Sequence, residues 1–261
     1  MTSLPLHTQR FGGDSDRLPL VLLHGLFGAS GNWQAIARTL AAERTVLVPD
    51  LRNHGASPHA PGMDYASLAA DVGALLSARG IGRALVVGHS LGGKVAMTLA
   101  LGEPARVAAL GVVDIAPVRY PPGFEALVTA LAALPLAAIE RREDADRQLR
   151  DAIPDARVRG FLLQNLRRTA NGWRWRCNLD AIAAALPVLR DFPDAGGRAF
   201  PGPAWFLYGT ASAYVGQAEL PAIRSLFPLA RLRAVPNAGH WVQTDQPEAF
   251  IRALTPLLRV G

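Results

Sequence analysis

The sequence of 261 residues contains a single cysteine, Cys177, so an intrachain disulfide is excluded and nothing points to an oxidising compartment. Residues 1–10 lack the apolar core of a secretory signal peptide. The longest apolar stretch, residues 126–139, is shorter than the roughly 20 residues of a membrane span and contains Pro135. These absences predict a cytoplasmic protein that does not insert stably into membranes.

Lysine is as scarce as cysteine, because Lys94 is the only one and arginine supplies the rest of the positive side-chain charge. Charged residues make up 18% of the chain and form no long run of one sign, which excludes extended disorder. The net charge of +6 is spread along the chain, so a solvated surface is favoured over a nucleic-acid interface. A second use of this charge is attraction of an anionic substrate such as a coenzyme A ester.

Six short apolar runs recur along the sequence, and they do not alternate with polar residues. Such runs are typical of strands buried on both faces of a parallel sheet. Helical patterns lie between them, so the sequence predicts an α/β fold with right-handed crossovers and a doubly wound sheet. The predicted strands are residues 18–23, 45–48, 84–87, 107–113, 204–208 and 232–235.

The alternation stops between Ala116 and Phe192, where helical stretches and prolines occur but no good strand. A helical insertion between two core strands predicts a lid. We therefore expect a core formed by residues 1–115 and 193–261 and a lid formed by residues 116–192.

Residues 88–92, Gly-His-Ser-Leu-Gly, match the G-x-S-x-G pattern after a predicted strand and at the start of a helix. Gly88 and Gly92 make room for a sharp turn that exposes Ser90. The amides at the start of the following helix are available to a developing negative charge. Ser90 is therefore the predicted nucleophile, and an incidental serine in a turn is the alternative.

An oxyanion hole requires two backbone N–H groups directed at one oxygen. Leu91, which follows the nucleophile, is expected to supply one of them. The second is expected from the loop at residues 24–28, where Leu26 is favoured and Phe27 is possible.

A base is expected after the last strand, where His240 lies, so the chain order serine, acid, histidine is kept. The loop after the strand at 204–208 offers no carboxylate. Asp114, at the end of the strand that follows the nucleophile strand, is therefore the predicted acid. Asp50 ends a strand on the other side, where a loop-fixing role is expected.

The remaining candidates surround these groups. We expect His24, Phe27, His89 and Trp241 to line the substrate site, with structural imidazoles at the two histidines. Lys94 is expected at the surface or in a salt bridge. His54 and His59 could line the mouth of the site, although a catalytic role is not favoured. No metal-ligand spacing is present, so neither a metal nor an organic cofactor is expected.

Five motifs occur at residues 24–33, 50–59, 88–97, 112–120 and 238–242. Together they resemble the YbfF/ABHD11-type esterases of the α/β-hydrolase superfamily. The resemblance implies the α/β-hydrolase fold, a mostly parallel eight-stranded sheet flanked by helices, with a helical lid after Asp114. It also implies a triad of Ser90, Asp114 and His240, and esterase activity on short to medium acyl chains, with acyl-CoA thioesters for some members.

One motif departs from this family. Family members often carry a histidine two residues after the Trp-Val pair, whereas here Gln243 and Thr244 follow that pair. The departure concerns the rim of the site and leaves the triad intact.

The sequence thus predicts a serine hydrolase that cleaves small acyl esters or thioesters through an acyl-enzyme. Two alternatives remain open. One is other cofactor-free chemistry on the same fold, as in haloperoxidases, perhydrolases or carbon–carbon hydrolases. The other is a ligand-binding protein without catalysis. The oligomeric state is left open.

Overall fold

The computed structural model describes residues 3–260; Met1, Thr2 and Gly261, which belong to the predicted core, lie outside the described residues. The strands are β1 (Thr8–Phe11), β2 (Leu20–Leu23), β3 (Val46–Pro49), β4 (Ala84–His89), β5 (Val107–Val113), β6 (Leu166–Thr169), β7 (Gly172–Trp175), β8 (Ala204–Gly209) and β9 (Ala230–Val235). The helices are α1 (Gln34–Leu40), α2 (Tyr65–Ala78), α3 (Leu91–Gly102), α4 (Glu125–Ala132), α5 (Arg142–Leu149), α6 (Ala156–Leu163), α7 (Leu179–Leu189), α8 (Leu220–Leu226), α9 (Val242–Asp245) and α10 (Pro247–Leu258).

The main sheet has seven strands within residues 3–260, in the order β1-β3-β2-β4-β5-β8-β9. β1 pairs antiparallel with β3, and all other neighbours pair in parallel. The predicted α/β class and mostly parallel sheet are confirmed. The count of eight strands is wrong for the described chain, because a single strand precedes β2. Residues 12–19, which join β1 to β2, form a largely exposed polar turn that offers no apolar run for a further strand.

The centre and the edges of this sheet differ in burial. β2, β4 and β5 are buried along their whole lengths, as their non-alternating apolar sequences predict. β1 and β9 form the two edges and carry polar residues, so β9 alternates between half-buried and exposed positions over most of its length. The apolar runs therefore located the centre of the sheet but gave no sign of β1.

Helices cover the sheet on both faces, as expected for a doubly wound fold. α2 and α3 contribute to one apolar cluster, to which the residues between β5 and β8 also belong. α1 and α10 contribute to the cluster on the other face, where Trp33 packs against Phe250 with ring centroids 5.9 Å apart. Within residues 3–260, no helix combines the length and apolar character that crossing a membrane requires.

The segment between β5 and β8, residues 116–192 and called the insertion below, contains α4 to α7. It also contains β6 and β7, which pair as an antiparallel hairpin, so the prediction of no strand there is wrong. For the same reason α6 ends at Leu163, and β6 begins three residues later. Trp173 and Trp175 are half-buried while Arg174 between them is exposed, which is the period-two pattern of a strand.

Candidate active site

Ser90 occupies the sharp turn between β4 and α3, with φ 53° and ψ −117°. Positive φ is unfavourable for a residue with a side chain, and such strain is characteristic of functional sites. A Cβ at Gly88 would lie 2.0 Å from the carbonyl oxygen of Gly92, and one at Gly92 would lie 2.5 Å from that of Leu23. Both glycines are therefore required for the close approach that presents Ser90, as the sequence pattern predicts.

The fold brings together Asp114 and His240, which lie 126 residues apart in the chain. Asp114 directly follows β5, is fully buried, and places Oδ2 2.7 Å from Nδ1 of His240. Its Oδ1 accepts a hydrogen bond from the amide of Gly209 at 3.1 Å. The side chain of His240 is 24% exposed and lines the same cavity as Ser90. Because Nδ1 is engaged by the carboxylate, Nε2 is the nitrogen left to exchange a proton.

The loop after β8 supports this pair, which sequence reasoning missed. Ser212 Oγ donates a hydrogen bond to Asp114 Oδ2 at 2.5 Å. The ring of Tyr214 stacks on the imidazole of His240, with centroids 4.2 Å apart and planes inclined by 27°. Tyr120 in turn donates its hydroxyl to the carbonyl oxygen of Tyr214 at 2.6 Å. The sequence signal for this support is a serine in the loop after β8, the place where a carboxylate would otherwise be expected.

The two candidate amides of the 24–28 loop are not equivalent. Phe27, which has φ 60°, donates its N–H to Nε2 of His54 at 3.1 Å, while Nδ1 of His54 donates to the carbonyl of Arg52. Burial lowers the pKa of His54 to about 3, so this ring is neutral and able to accept. The amide of Phe27 is thus already used, which favours Leu26. Leu91 opens α3, where the first amides have no partner within the helix.

His24 and His89 line the same cavity as Ser90, as predicted, but their rings also have structural partners. Nε2 of His24 accepts a hydrogen bond from the amide N–H of Leu51 at 2.9 Å, and its Nδ1 donates one to the carbonyl oxygen of Gly25 at 2.8 Å. Nε2 of His89 donates to the carbonyl of His240 at 2.8 Å. Burial lowers the pKa of His24, and burial together with the neighbouring His240 lowers that of His89 well below its ordinary value. Both imidazoles are therefore neutral and fix loops.

Two cavities meet at Ser90. The histidine cavity has a volume of about 560 Å³ and is lined by His240 and by all four residues predicted to contact substrate. The lysine cavity has a volume of about 460 Å³ and is lined by Lys94, by residues after β5 and by the end of α7. The walls common to both cavities are formed by Leu26, Ser90, Phe124 and Tyr214.

Lys94 is 2% exposed, so the predicted surface or salt-bridge role is wrong. Its Nζ donates to the carbonyl oxygens of Val118 at 2.9 Å, Arg190 at 3.1 Å and Asp191 at 2.7 Å. The ammonium also lies 5.0 Å from the ring centroid of Tyr120. Burial lowers its pKa to about 8. The side chain thus reaches from α3 to both ends of the insertion, where backbone acceptors replace a carboxylate.

The other predicted candidates lie around the site without entering it. Asp50 accepts hydrogen bonds from the amide N–H groups of Ser30 at 2.6 Å and Ala56 at 2.8 Å, so it fixes a loop as expected. Burial opposes its ionisation, but these hydrogen bonds hold its pKa below the ordinary value. His59 is exposed and donates to the carbonyl of Arg176, and neither it nor His54 lines the two cavities, so the prediction that they line the mouth is wrong.

No cluster of three or more histidine, cysteine or acidic side chains within residues 3–260 could hold a metal ion. Cys177 is buried, and burial raises the pKa of its thiol to about 12, so it is not poised as a nucleophile.

The comparisons with known proteins agree with this architecture. A model of the alpha/beta hydrolase family matches residues 20–253. The sn-1-specific diacylglycerol lipase ABHD11 of Mus musculus is 40% identical over 263 residues, covering 98% of this chain and 85% of its own. Esterase YbfF of Escherichia coli (strain K12) is 34% identical over 252 residues, covering 96% of this chain and 97% of its own.

Among solved structures, a marine microorganism esterase superposes with a TM-score of 0.93 at 33% identity, covering 98% of this chain and 100% of that chain. These matches confirm the resemblance to YbfF and ABHD11 and agree with the prediction of an esterase. The chain belongs to the alpha/beta hydrolase family.

Proposed function

We propose that this protein hydrolyses carboxylic esters, with Ser90 as nucleophile, His240 as base and Asp114 as the acid that orients the base. The observation that carries the proposal is the 2.7 Å contact between His240 Nδ1 and Asp114 Oδ2, made at the wall of the cavity that also contains the strained Ser90. The esterase and lipase names of the relatives support the same chemistry.

The reaction follows from these positions. His240 Nε2 takes the proton of the Ser90 hydroxyl, and Oγ attacks the acyl carbon. The carbonyl oxygen becomes an oxyanion that accepts hydrogen bonds from the N–H groups of Leu91 and Leu26. The bond between the acyl carbon and the alcohol oxygen then breaks, and the alcohol leaves with the proton from His240. Water, activated by the same imidazole, attacks the acyl-serine and releases the carboxylic acid.

Asp114 acts on the imidazole and not on the substrate. Its buried carboxylate keeps the Nδ1 proton of His240 in place, so Nε2 is presented as the basic nitrogen. It also stabilises the imidazolium that forms when His240 takes the serine proton. Ser212 and Gly209 hold this carboxylate in turn, so it is positioned before substrate binds.

We also propose that the insertion, residues 116–192, acts as a lid on a core formed by the rest of the chain. Residues of α4, α6 and α7 line the two cavities. Arg157 on α6 forms an ion pair with Asp245 and lies 4.9 Å from the ring of Trp241, next to the catalytic histidine. Phe161 contacts the same tryptophan, with ring centroids 5.4 Å apart. These contacts support a lid that closes on the histidine loop.

The substrate within this proposal is a small acyl ester of short to medium chain length, handled without a metal or organic cofactor. An acyl thioester would react by the same steps and release a thiol. A cytoplasmic location, consistent with the cysteine usage, belongs to the same proposal.

The decisive experiment compares wild type and Ser90→Ala by steady-state kinetics on p-nitrophenyl esters of increasing acyl length, with acyl-CoA thioesters alongside. We expect kcat/KM to fall on the order of 10⁴-fold or more, because the covalent step is lost. Ser77→Ala, a matched change at an exposed helical serine, should retain activity. An inert wild type, or a Ser90→Ala variant as active as wild type, would contradict the proposal and favour a binding protein or another chemistry.

A further inference from the structure

We infer that the acyl chain of the substrate occupies the lysine cavity and that the leaving group occupies the histidine cavity. This assignment rests on the proposed ester hydrolysis, and it names which wall of the site selects each half of the substrate.

The path of the proton decides where the leaving group lies. When the tetrahedral intermediate collapses, the bond to the leaving oxygen breaks and that oxygen takes the proton held by His240. His240 lines the histidine cavity and does not line the lysine cavity. The leaving group must therefore lie in the histidine cavity, and the acyl chain on the opposite side of the carbonyl carbon extends into the lysine cavity.

The candidate oxyanion amides lie where the two cavities meet, as this placement of the two halves of the substrate requires. Leu26 and Ser90 line both cavities, and Leu91 lines the lysine cavity. A carbonyl held by these amides while bonded to Ser90 sits between the cavities, with one substituent directed into each. Tyr214, which stacks on His240, forms part of the same partition.

The lysine cavity has apolar surface on which a hydrocarbon chain can lie. Ile115, Leu186 and Leu189 line it, and all three are buried apolar residues. Lys94 and Arg190 also line it, but the three N–H donors of Lys94 are directed to backbone carbonyls, so its ammonium has none left for a carboxylate or phosphate. An alkyl chain placed here by the path of the proton therefore has apolar side chains to contact.

The histidine cavity is also largely apolar, with Phe27, Phe161 and Trp241 in its wall. Gln243 lines it and is 6% exposed, but its Oε1 is buried without a hydrogen-bond partner in the described structure, so this oxygen is not open to a ligand. Apolar groups can therefore occupy either cavity, and the position of His240 is what assigns the leaving group to the histidine cavity.

The test separates the two halves of the substrate with methyl acetate, methyl octanoate and octyl acetate, assayed by acid release. Leu189→Trp fills the lysine cavity, and Val158→Trp on α6 fills the histidine cavity. For each enzyme, kcat/KM on the long ester is divided by kcat/KM on methyl acetate. Leu189→Trp should lower this ratio for methyl octanoate by about tenfold or more. Val158→Trp should lower the ratio for octyl acetate by a similar factor. Val188→Trp is the matched control, because Val188 lies on the same helix as Leu189 but is 49% exposed.

The opposite pattern would overturn the assignment while leaving ester hydrolysis intact, whereas failure of wild type on all three esters would overturn the proposed function itself. If a tryptophan variant does not fold, a structure of wild type phosphonylated at Ser90 by methyl octylphosphonofluoridate gives the answer directly. Density for the octyl chain in the lysine cavity supports the assignment, and density in the histidine cavity contradicts it.

Discussion

Ser90, Asp114 and His240 all follow strands of the main sheet, whereas much of the wall of the two cavities comes from the insertion. The strand ends are fixed by the hydrogen bonds of the sheet, and each proposed catalytic group adds a bond of its own, such as Ser90 N–H to the carbonyl of Val113 at 3.0 Å. The insertion instead contacts the core through packed apolar side chains and through hydrogen bonds such as those of Lys94. We propose from this difference that the sheet positions the chemistry, while the insertion selects the substrate.

The largest expected effect comes from Asp114→Asn, which tests the chemistry assigned to the core. The amide keeps the size of the side chain but no longer holds the imidazole in the productive tautomer, so kcat should fall about 10⁴-fold. Stopped-flow and steady-state assays measure the loss. A decrease below about tenfold would show that another group serves as the acid.

Asp50→Asn is the matched control, because Asp50 directly follows β3 of the same sheet. Two backbone amides donate hydrogen bonds to the Asp50 carboxylate and lower its pKa in the folded protein. Its contribution to stability is therefore fully present above the pKa of an unfolded carboxyl, about 3.9. That contribution is lost as pH falls through the lower pKa of the folded state. Urea titrations at several acidic pH values should show a weaker pH dependence of the free energy of unfolding in Asp50→Asn. At neutral pH, this variant should keep a kcat near that of wild type once it is folded.

Lys94→Met tests whether the insertion depends on its contacts with the core. Removing the ammonium leaves three carbonyl oxygens without their donor, which should lower the free energy of unfolding by about 1–3 kcal/mol. Hydrogen exchange should accelerate at residues 118–124 and 186–191 while β4 and β5 keep their protection. Uniform acceleration through the sheet would instead place Lys94 in the general core.

Ser212→Ala tests the support that the loop after β8 gives to Asp114. Loss of a hydrogen bond to a carboxylate should lower kcat/KM about tenfold, because the carboxylate is less firmly held. Steady-state assays measure the loss, and Ser212→Thr, which keeps a hydroxyl group, should recover part of it. A folded Ser212→Ala variant with the kcat/KM of wild type would mean that Ser212 does not support the carboxylate.

The smallest effect is expected at the rim. Gln243→Met keeps the length of the side chain but removes an acceptor that is buried without a partner, so the free energy of unfolding should stay the same or rise by up to about 1 kcal/mol. Urea titrations of the variant and of wild type measure the change. A clear loss of stability would show that the amide of Gln243 makes a hydrogen bond that Met cannot replace.

Much of the fold could be predicted because the central strands are buried on both faces and therefore read as apolar runs. β1 and β9 lie at the edges, where polar residues are tolerated, so β1 was missed. The β6–β7 hairpin was missed because its signal, alternation of Trp173, Arg174 and Trp175, is short and lies among helical stretches.

The candidate site divides in the same way. Ser90 and His240 follow from local motifs and chain order, and Asp114 follows from the absence of a carboxylate after β8. The environment of Lys94 could not be predicted, because the acceptors of its ammonium lie 24 to 97 residues away in sequence. The choice between Leu26 and Phe27 likewise depended on the contact of Phe27 with His54, which only the folded chain creates.

The most direct test of the account is labelling with a fluorophosphonate, followed by peptide mass spectrometry, because the reagent reacts covalently with an activated serine. The account predicts one label per chain, located on the peptide that contains Ser90, and loss of labelling in both Ser90→Ala and His240→Ala. A label on another serine such as Ser212, or full ester turnover by wild type without any label, would contradict the assignment of Ser90 as the nucleophile.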